Sequence, residues 1–380
     1  MENEKSYCVG RAKIAAEGGE VTDRYLILKD NIPDYRVNEW IDLKSMGKLS
    51  TGREYAYKLA VFLNYLDFRG KDIDDAEVTD VLAFVIFAVY GYGVNSNVFC
   101  LRGKISFSTL SKYITVISGY YRWFDSRYGS KIRFERESRK VNKSSFMYGQ
   151  IWEYDYEDII GRHIRNLKGS RNHIKWYTEE ERSGLTDGFC TLRDQAVFLL
   201  TLEGFRIDEV LSICFEGYDG ESVTPSRSKG REDDGDDIRT VTLSAKTREI
   251  LDKYIFTERS EAESESGVLS QYIFINLKKG DNQGKPLRYR TFWECLKCCA
   301  KRCGIDPARV RTHSGRSTKV MEYLEHQSLH PEDNITDNMI MYQFGWSSLK
   351  PLEFYRNFNN KIIAQSAHDK LHKKEDNLND

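Results

Sequence analysis

Apolar residues recur at helical spacing over much of the first half of this chain, and this pattern constrains its fold more than any other feature. In the segment TGREYAYKLAVFLNYLDF, which starts at Thr51, the residues Tyr55, Leu59 and Phe62 lie three or four positions apart. They therefore share one face of a predicted helix, with Thr51 as its N-cap. Similar segments follow one another over positions 36–128. This half of the chain is expected to fold as a small helical bundle.

The second half of the chain mixes helical patterns with short strands. The segment TLRDQAVFLLTLEGFRIDEVLSI predicts two helices joined at Glu203 and Gly204, and positions 215–243 predict short strands around a long acidic hairpin. Further helices are expected at three places, namely 289–302, 313–324 and 336–344. The predicted fold class is therefore α+β, mainly α with a small antiparallel β-sheet.

Changes in these patterns predict the domain boundaries. Residues 1–32 contain a strand-like segment, RYLILKD, and are assigned to an N-terminal extension. A helical domain is expected over 33–165 and a mixed domain over 174–380, because the polar, charged segment after Gly129 lacks clean periodicity and indicates a linker. A chain of 380 residues with 40% hydrophobic content can form two ordinary cores.

The composition excludes several classes of protein. No apolar run reaches the roughly 18 to 20 residues needed to span a bilayer, and VLAFVIFAVYGYGV predicts a buried helix instead. We expect a cytoplasmic protein with reduced thiols and no membrane partner. Four cysteines recur on one face of a predicted helix: Cys295, Cys298, Cys299 and Cys303. A single helix cannot wrap four thiolates around a zinc ion, so buried core thiols and no metal site are expected.

Charge is unevenly distributed along the chain, although its formal net charge is only −1. Between Lys301 and Lys319, six basic residues occur against the single acid Asp306, whereas the acidic run EDDGDD occupies positions 232–237. Each cluster alone is typical of a solvated face. A local basic surface is nevertheless compatible with a neutral total, and such a surface would suit a nucleic acid.

Arg206 begins an amphipathic helix in the segment LEGFRIDEVLSI. An arginine at a helix N-terminus can add its two-pronged donor set to backbone N–H groups that already favour an anion. Taken alone, this residue is more typical of a surface arginine paired with Asp208 or Glu209. A role in phosphate binding therefore needs support from other residues.

His313 and Arg316 lie three positions apart in the segment THSGRSTKV. They share one helix face if the helix begins near Ser314. A titratable group and a permanent cation on one face suit a phosphate undergoing transfer. The alternative is that His313 caps the helix and Arg316 is solvated.

Trp346 and Tyr355 are nine residues apart, with a Gly-Trp-Ser-Ser turn between two predicted helices. Trp346 offers an indole donor and Tyr355 a phenol nucleophile, although such a pair taken alone is more typical of a core. Lys229, in the segment SKGR, lies in the predicted hairpin, where an ordinary surface lysine is the alternative. Lys246, beyond the second strand, is a weaker substitute for it.

Together, in order and spacing, these residues resemble the active site of the tyrosine recombinase and phage integrase family. The resemblance covers about residues 177–355 and rests on these segments: RIDE from Arg206, KG from Lys229, HSGR from His313, GWSS around Trp346, and Tyr355. Two positions depart from the family pattern. Gly315 stands where a leucine is usual, and Ser317 stands where a second histidine is usual. The acidic hairpin after Lys229 is a further departure.

The resemblance implies an enzyme that breaks and rejoins DNA without a metal or another cofactor. Tyr355 would attack the scissile phosphate and form a 3′-phosphotyrosyl bond. Arg206 and Arg316 would hold the two non-bridging oxygens of that phosphate, and His313 would accept the proton of the phenol.

Three further residues have supporting roles by the same resemblance. Lys229 would protonate the leaving 5′-oxygen, Trp346 would donate a hydrogen bond to a phosphate oxygen, and Glu209 would orient a neighbouring side chain.

The resemblance also implies the partners of the chain. They are double-stranded DNA with a specific recombination site, a homotetramer assembled on that DNA, and an accessory directionality factor. The helical tail after Tyr355, with Ile362 and Ile363, is expected to dock on a neighbouring subunit. Contacts with DNA are expected from six basic residues: Arg162, Arg165, Lys168, Arg171, Arg309 and Arg311.

The expected role is the integration, excision or transposition of a mobile element. Two alternatives remain open. Within the same chemistry, a type IB topoisomerase or a telomere-resolvase-like enzyme uses a similar pocket. From a different class, it could be a catalytically silent DNA-binding partner in an element that uses several recombinases.

Overall fold

The computed structural model describes these parts of the chain: residues 6–15, 21–46, 48–90, 105, 107–132, 175–227 and 238–376. The chain divides into two compact units, Met1–Arg171 and Asn172–Asp380. Both are mainly helical with a small antiparallel sheet, which confirms the predicted fold class.

The described part of the first unit contains a three-stranded sheet in the order β1-β2-β3, followed by helices. Strands β1 and β2 form a hairpin in which Tyr7 lies opposite Lys29. The elements are β1 Tyr7–Ala15, β2 Val21–Lys29, β3 Ile32–Pro33, α1 Tyr35–Ser45, α2 Leu49–Phe68, α3 Val78–Tyr90 and α4 Phe107–Tyr128.

The predicted N-cap of α2 is wrong. The helix begins at Leu49, two residues before Thr51, and Lys48 occupies the N-cap position. The carbonyl of Lys48 already accepts the backbone N–H groups of Thr51 and Gly52, so the first turn closes before the threonine hydroxyl could cap it.

Two asparagines, Asn38 and the half-buried Asn64, attach the hairpin of the first unit to its helices. Asn38 on α1 pairs with the backbone of Ile27 through two hydrogen bonds of 2.7 and 2.9 Å. Asn64 on α2 makes the same kind of pair with the backbone of Tyr7, at 3.0 and 2.7 Å. These bonds satisfy backbone groups that would otherwise be buried without partners. The described part of residues 1–32 therefore packs into the same core as the helices.

The described part of the second unit consists of helices around one two-stranded sheet. A π-helical turn, Ile255–Arg259, joins α8 and α9. The elements are α5 Glu179–Gly188, α6 Leu192–Leu202, α7 Ile207–Leu211, β4 Ser222–Val223, β5 Val241–Thr242, α8 Ala245–Tyr254, α9 Ser260–Ser266, α10 Tyr289–Arg302, α11 Ser314–Leu329, α12 Asp337–Gln343 and α13 Lys350–Asp376.

Helix α6 lies at the centre of this unit and packs against both α8 and α11. The contact with α11 is unusually close, because a Cβ atom at Gly315 would lie 2.3 Å from the Thr201 hydroxyl oxygen and 2.9 Å from its Cβ. Glycine at position 315 is therefore required by this packing. The close contact accounts for the departure from the leucine that is usual in the family pattern.

The strand pair β4–β5 confirms the predicted hairpin at its base, where Ser222 lies opposite Thr242. The acidic run at 232–237 and Lys229 lie outside the described residues. The weaker substitute, Lys246, is exposed in the first turn of α8.

The cysteines of α10 only partly match the prediction of buried thiols. Cys299 is buried, Cys295 and Cys303 are half-buried, and Cys298 is exposed, so that prediction was wrong for Cys298. Cys298 lies at the edge of the arc that the four positions span around the helix. The apolar face of the helix is narrower than that arc, so the thiol of Cys298 faces solvent. Within the described ranges, no group of three or more His, Cys, Asp or Glu side chains could hold a metal ion. In the same ranges, no helix is both long and apolar enough to cross a membrane.

Candidate active site

Glu209 lies at the centre of a cluster of buried charge in the second unit. It occupies the third position of the short helix α7, for which Arg206 is the N-cap residue. One Glu209 oxygen accepts the Arg206 guanidinium at 2.6 Å, and the other accepts the Arg206 backbone N–H at 2.8 Å. Arg206 is therefore ion-paired with Glu209, as the alternative to phosphate binding predicted. The partner carboxylate is only 2% exposed, however, so this is not an ordinary surface pair.

Arg316 reaches the same carboxylate from helix α11. The side chain is 1% exposed, and its Nη1 atom lies 3.9 Å from a Glu209 oxygen. It donates to the carbonyl of Gly204 at 2.6 Å and to the carbonyl of Phe344. The two predicted phosphate-binding arginines therefore point towards one region of the molecule. The alternative that Arg316 is solvated is wrong, because the packing of α11 on α6 buries it.

Burial and mutual repulsion make this region receptive to negative charge. Burial lowers the pKa of Arg316, and the neighbouring guanidinium groups of Arg206 and Arg239 lower it further. Burial alone would raise the pKa of Glu209, but Arg239 and Arg206 outweigh it and lower that pKa. An additional anion at the cluster would relieve the repulsion among the arginines.

His313 precedes the first turn of α11 and is its N-cap residue, without a side-chain capping bond. Partial burial of the imidazole, followed by the charges of Arg316 and Arg206, lowers the pKa of His313 to about 4. The residue as a whole is exposed, so water partly screens the two guanidinium charges. His313 is therefore neutral at pH 7 and able to accept a proton.

Trp346 lies in the turn between α12 and α13, and Tyr355 lies in the second turn of α13. Gly345 adopts a left-handed conformation, with φ of 56°, directly before Trp346. The two aromatic rings stack with centroids 6.0 Å apart. The guanidinium of Arg316 lies 5.5 Å from the Trp346 ring centroid, which connects this aromatic pair to the charged cluster.

The hydroxyl of Tyr355 is buried and has a defined partner. Tyr355 is 7% exposed, and its hydroxyl oxygen lies 3.1 Å from the hydroxyl oxygen of Ser317 on α11. Either hydroxyl can be the donor. Ser317 is the residue that replaces the second histidine of the family pattern, so this departure contacts the predicted nucleophile directly.

The predicted DNA-binding residues are only partly described. Arg309 is exposed and lies 3.3 Å from Glu181, and Arg311 is exposed in the segment that leads into α11. The other four lie outside the described residues: Arg162, Arg165, Lys168 and Arg171.

Two residues that contact the predicted site carried no assigned role in the sequence. Arg239 is 2% exposed and pairs with Glu209 at 2.9 Å, and Ser317 bonds Tyr355. A signal existed for Arg239, because the strand-like segment IRTVTL contains one charged residue among apolar and β-branched ones. Ser317 was visible only as a departure from the family pattern.

The second unit matches a known family. Residues 175–361 fit the model described as the phage integrase family. Transposase A from transposon Tn554 of Staphylococcus aureus is 24% identical over 274 residues, which cover 68% of this chain and 71% of that protein.

Solved structures share the fold. The XerH site-specific recombinase bound to palindromic difH substrate, a post-cleavage complex, has a TM-score of 0.56 at 16% identity, covering 87% of this chain and 83% of that one. The Tn1549 transposon integrase in complex with circular intermediate DNA has a TM-score of 0.53 at 11% identity, covering 84% of this chain and 94% of that one. With the site geometry and the family match, these findings lead to one assignment. The chain carries a phage integrase family domain at residues 175–361.

Proposed function

We propose that this chain cleaves and rejoins DNA strands through a 3′-phosphotyrosyl intermediate on Tyr355. The observation that carries the proposal is the convergence of Arg206 and Arg316 on Glu209, beside the stacked pair of Trp346 and Tyr355. Two permanent cations beside a phenol can stabilise the charge that develops during phosphoryl transfer. The phosphotyrosyl bond replaces the broken phosphodiester bond, so the reaction consumes no net bond energy.

In the proposed reaction, Arg206 and Arg316 bind the non-bridging oxygens of the scissile phosphate. Arg316 already donates to two backbone carbonyls, but a guanidinium has five N–H donors, so others remain for a phosphate. The arginines would supply the positive charge that a metal ion supplies in other phosphoryl transfers. We therefore propose a metal-independent reaction.

Proton transfer falls to two further residues, His313 and Lys229. His313, neutral at pH 7, would accept the proton of the Tyr355 hydroxyl as the phosphorus–oxygen bond forms. Lys229 would give a proton to the 5′-oxygen as its bond to phosphorus breaks. Trp346 would donate its indole N–H to a phosphate oxygen, and Glu209 would keep Arg206 in place.

The nucleophile has to move before it can react. In the chain without DNA, the Tyr355 hydroxyl is buried and bonded to Ser317. We propose that binding of DNA rotates the phenol away from this partner and towards the phosphate. The hydrogen bond to Ser317 contributes only about 0.5 to 1.5 kcal/mol, so breaking it is a small part of the cost of this rotation.

We propose that the biological role is the movement of a mobile element, by integration, excision or transposition. The support is that one relative is a transposase and that a solved structure of similar fold is a transposon integrase bound to circular intermediate DNA. The partners would be double-stranded DNA with a specific site, a homotetramer assembled on it, and an accessory directionality factor. The exposed Ile362 and Ile363 of α13 are available for a subunit contact.

A nicked duplex taken from the DNA that flanks the gene tests the proposal. Cleavage next to the nick releases a short fragment, so the covalent protein–DNA adduct accumulates. Tyr355→Phe should abolish the adduct while DNA affinity stays within about twofold, because the phenol ring and its packing remain. Tyr342→Phe is the matched control, since Tyr342 is an exposed tyrosine on α12, and it should form adduct normally.

The outcomes separate the alternatives. Adduct formation by Tyr355→Phe would exclude this nucleophile. A wild-type chain that binds the duplex without forming adduct would favour the catalytically silent DNA-binding partner. Relaxation of supercoiled DNA that lacks a specific site would favour a topoisomerase-like enzyme.

A further inference from the structure

We infer that Arg239 is a positioning residue that holds both phosphate-binding arginines in their reactive arrangement. This inference rests on the proposed function and adds a residue to it. Arg239 follows the acidic hairpin, two positions before strand β5 begins at Val241, and its side chain is 2% exposed. A buried arginine is costly unless it is paired, so its contacts decide its role.

Arg239 uses the same two acceptors as the predicted phosphate-binding arginines. Its Nη2 atom donates to Glu209 Oε2 at 2.9 Å, and that oxygen also accepts the backbone N–H of Arg206 at 2.8 Å. The same Nη2 lies 3.3 Å from the Gly204 carbonyl, which accepts Arg316 at 2.6 Å. Loss of Arg239 would therefore alter the surroundings of both arginines together.

The turn that carries Trp346 also packs against the guanidinium of Arg239. A Cβ atom at Gly345 would lie 2.6 Å from Arg239 Nη1, so the turn that precedes Trp346 rests directly on Arg239. On its other side, the guanidinium lies 5.1 Å from the ring centroid of Phe205, next to Arg206 in the chain. Arg239 thus contacts the segments that carry Arg206 and Trp346.

The positive charge of Arg239 holds the Glu209 carboxylate in position, which an apolar residue could not do. Glu209 accepts Arg206 and Arg239 together and lies 3.9 Å from Arg316. Without Arg239, the carboxylate would be free to swing fully towards Arg206 or Arg316 and occupy donors needed by the phosphate. Because Arg239 is buried against Glu209, Gly204 and Gly345, it acts through these groups and not on the phosphate itself.

The test compares Arg239→Met and Arg239→Lys with the wild-type chain on the nicked duplex under single-turnover conditions. A positioning role lowers the rate constant of adduct formation and leaves the final amplitude and the DNA affinity unchanged. We expect Arg239→Met to be slower by about 10- to 100-fold, the usual range for partners that orient reactive groups, and Arg239→Lys to recover part of that loss. A structural role alone would lower the amplitude with the folded fraction and leave the rate constant unchanged.

Arg259→Met is the matched control. Arg259 is also buried, at 3% exposure, but it bonds Glu263 and the carbonyls of Ser270, Tyr272 and Ile273, away from the site. It should lose stability as Arg239→Met does, with an unchanged rate constant for the molecules that fold.

Each result decides the inference. Slow adduct formation at full amplitude in Arg239→Met supports it, and a rate constant within twofold of wild type overturns it. If Arg239→Met does not fold, Arg239→Lys decides by the same two criteria. A wild-type chain that forms no adduct refutes the proposed function and this inference with it, whereas adduct in wild type with an unaffected Arg239 variant refutes the inference alone.

Discussion

The close contact between α6 and α11 predicts that a larger residue at position 315 destabilises the second unit. A methyl group added at Gly315 would lie 2.3 Å from the Thr201 hydroxyl oxygen and 3.0 Å from the Thr201 backbone carbonyl carbon. Rotating the threonine relieves only the first clash, because the second involves the backbone. Overpacking costs about 1 to 3 kcal/mol, and the backbone contact places Gly315→Ala in the upper part of that range, about 2 to 3 kcal/mol. The better helix propensity of alanine returns about 1 kcal/mol. We expect Gly315→Ala to destabilise the second unit by about 1 to 2 kcal/mol.

Differential scanning calorimetry of the full chain measures this effect. For a unit of this size, the expected fall in Tm is about 2 to 8 °C. Gly184→Ala is the matched control, because Gly184 lies in helix α5 with nothing within 4 Å of the added Cβ, and its Tm should rise. Thr201→Ala should partly rescue Gly315→Ala. If Gly315→Ala raised Tm as Gly184→Ala does, the two helices would not approach as closely as described.

Two further predictions concern the proposed nucleophile, Tyr355, and its proposed base, His313. Because the folded-state pKa of His313 is lowered to about 4, its imidazole stays neutral as the pH falls from 7 to 5, whereas an ordinary histidine would become half protonated near pH 6.5. The rate constant of adduct formation should therefore show no loss centred at pH 6.5, and such a loss would contradict the lowered pKa of His313. Ser317→Ala removes the hydrogen bond that holds Tyr355 at rest, so adduct formation should accelerate about 2- to 10-fold at unchanged DNA affinity. Slower adduct formation would show instead that Ser317 orients the phenol for attack.

The local features of the site could be predicted because they depend on short-range chemistry. The helix that follows His313 begins at Ser314, as the spacing of His313 and Arg316 required. The helix α10 spans the predicted positions 289–302. In each case a cap residue or an amphipathic period fixes the element within a few positions, and no distant contact is needed.

The contacts among distant residues could not be predicted from the same patterns. The segment IRTVTL marks Arg239 as one charged residue among apolar and β-branched ones, but nothing in it indicates that the partner is Glu209, which lies 30 positions earlier. The role of Gly315 was equally hidden, because it depends on the distance between α6 and α11. Both depend on tertiary packing, for which the sequence offers only the residue type.

The net charge of the cluster gives a reason for one carboxylate to lie among three arginines. Arg206, Arg239 and Arg316 surround Glu209, so three positive charges and one negative charge leave a net charge of +2 among these described residues. A phosphodiester carries one negative charge in the ground state, and a second develops in its pentavalent transition state. A site of charge +2 therefore matches the transition state more closely than the bound DNA. Only interactions that strengthen in the transition state accelerate the reaction. In the proposed mechanism, Glu209 would therefore serve catalysis both by positioning the arginines and by moderating their attraction for the unreacted phosphate.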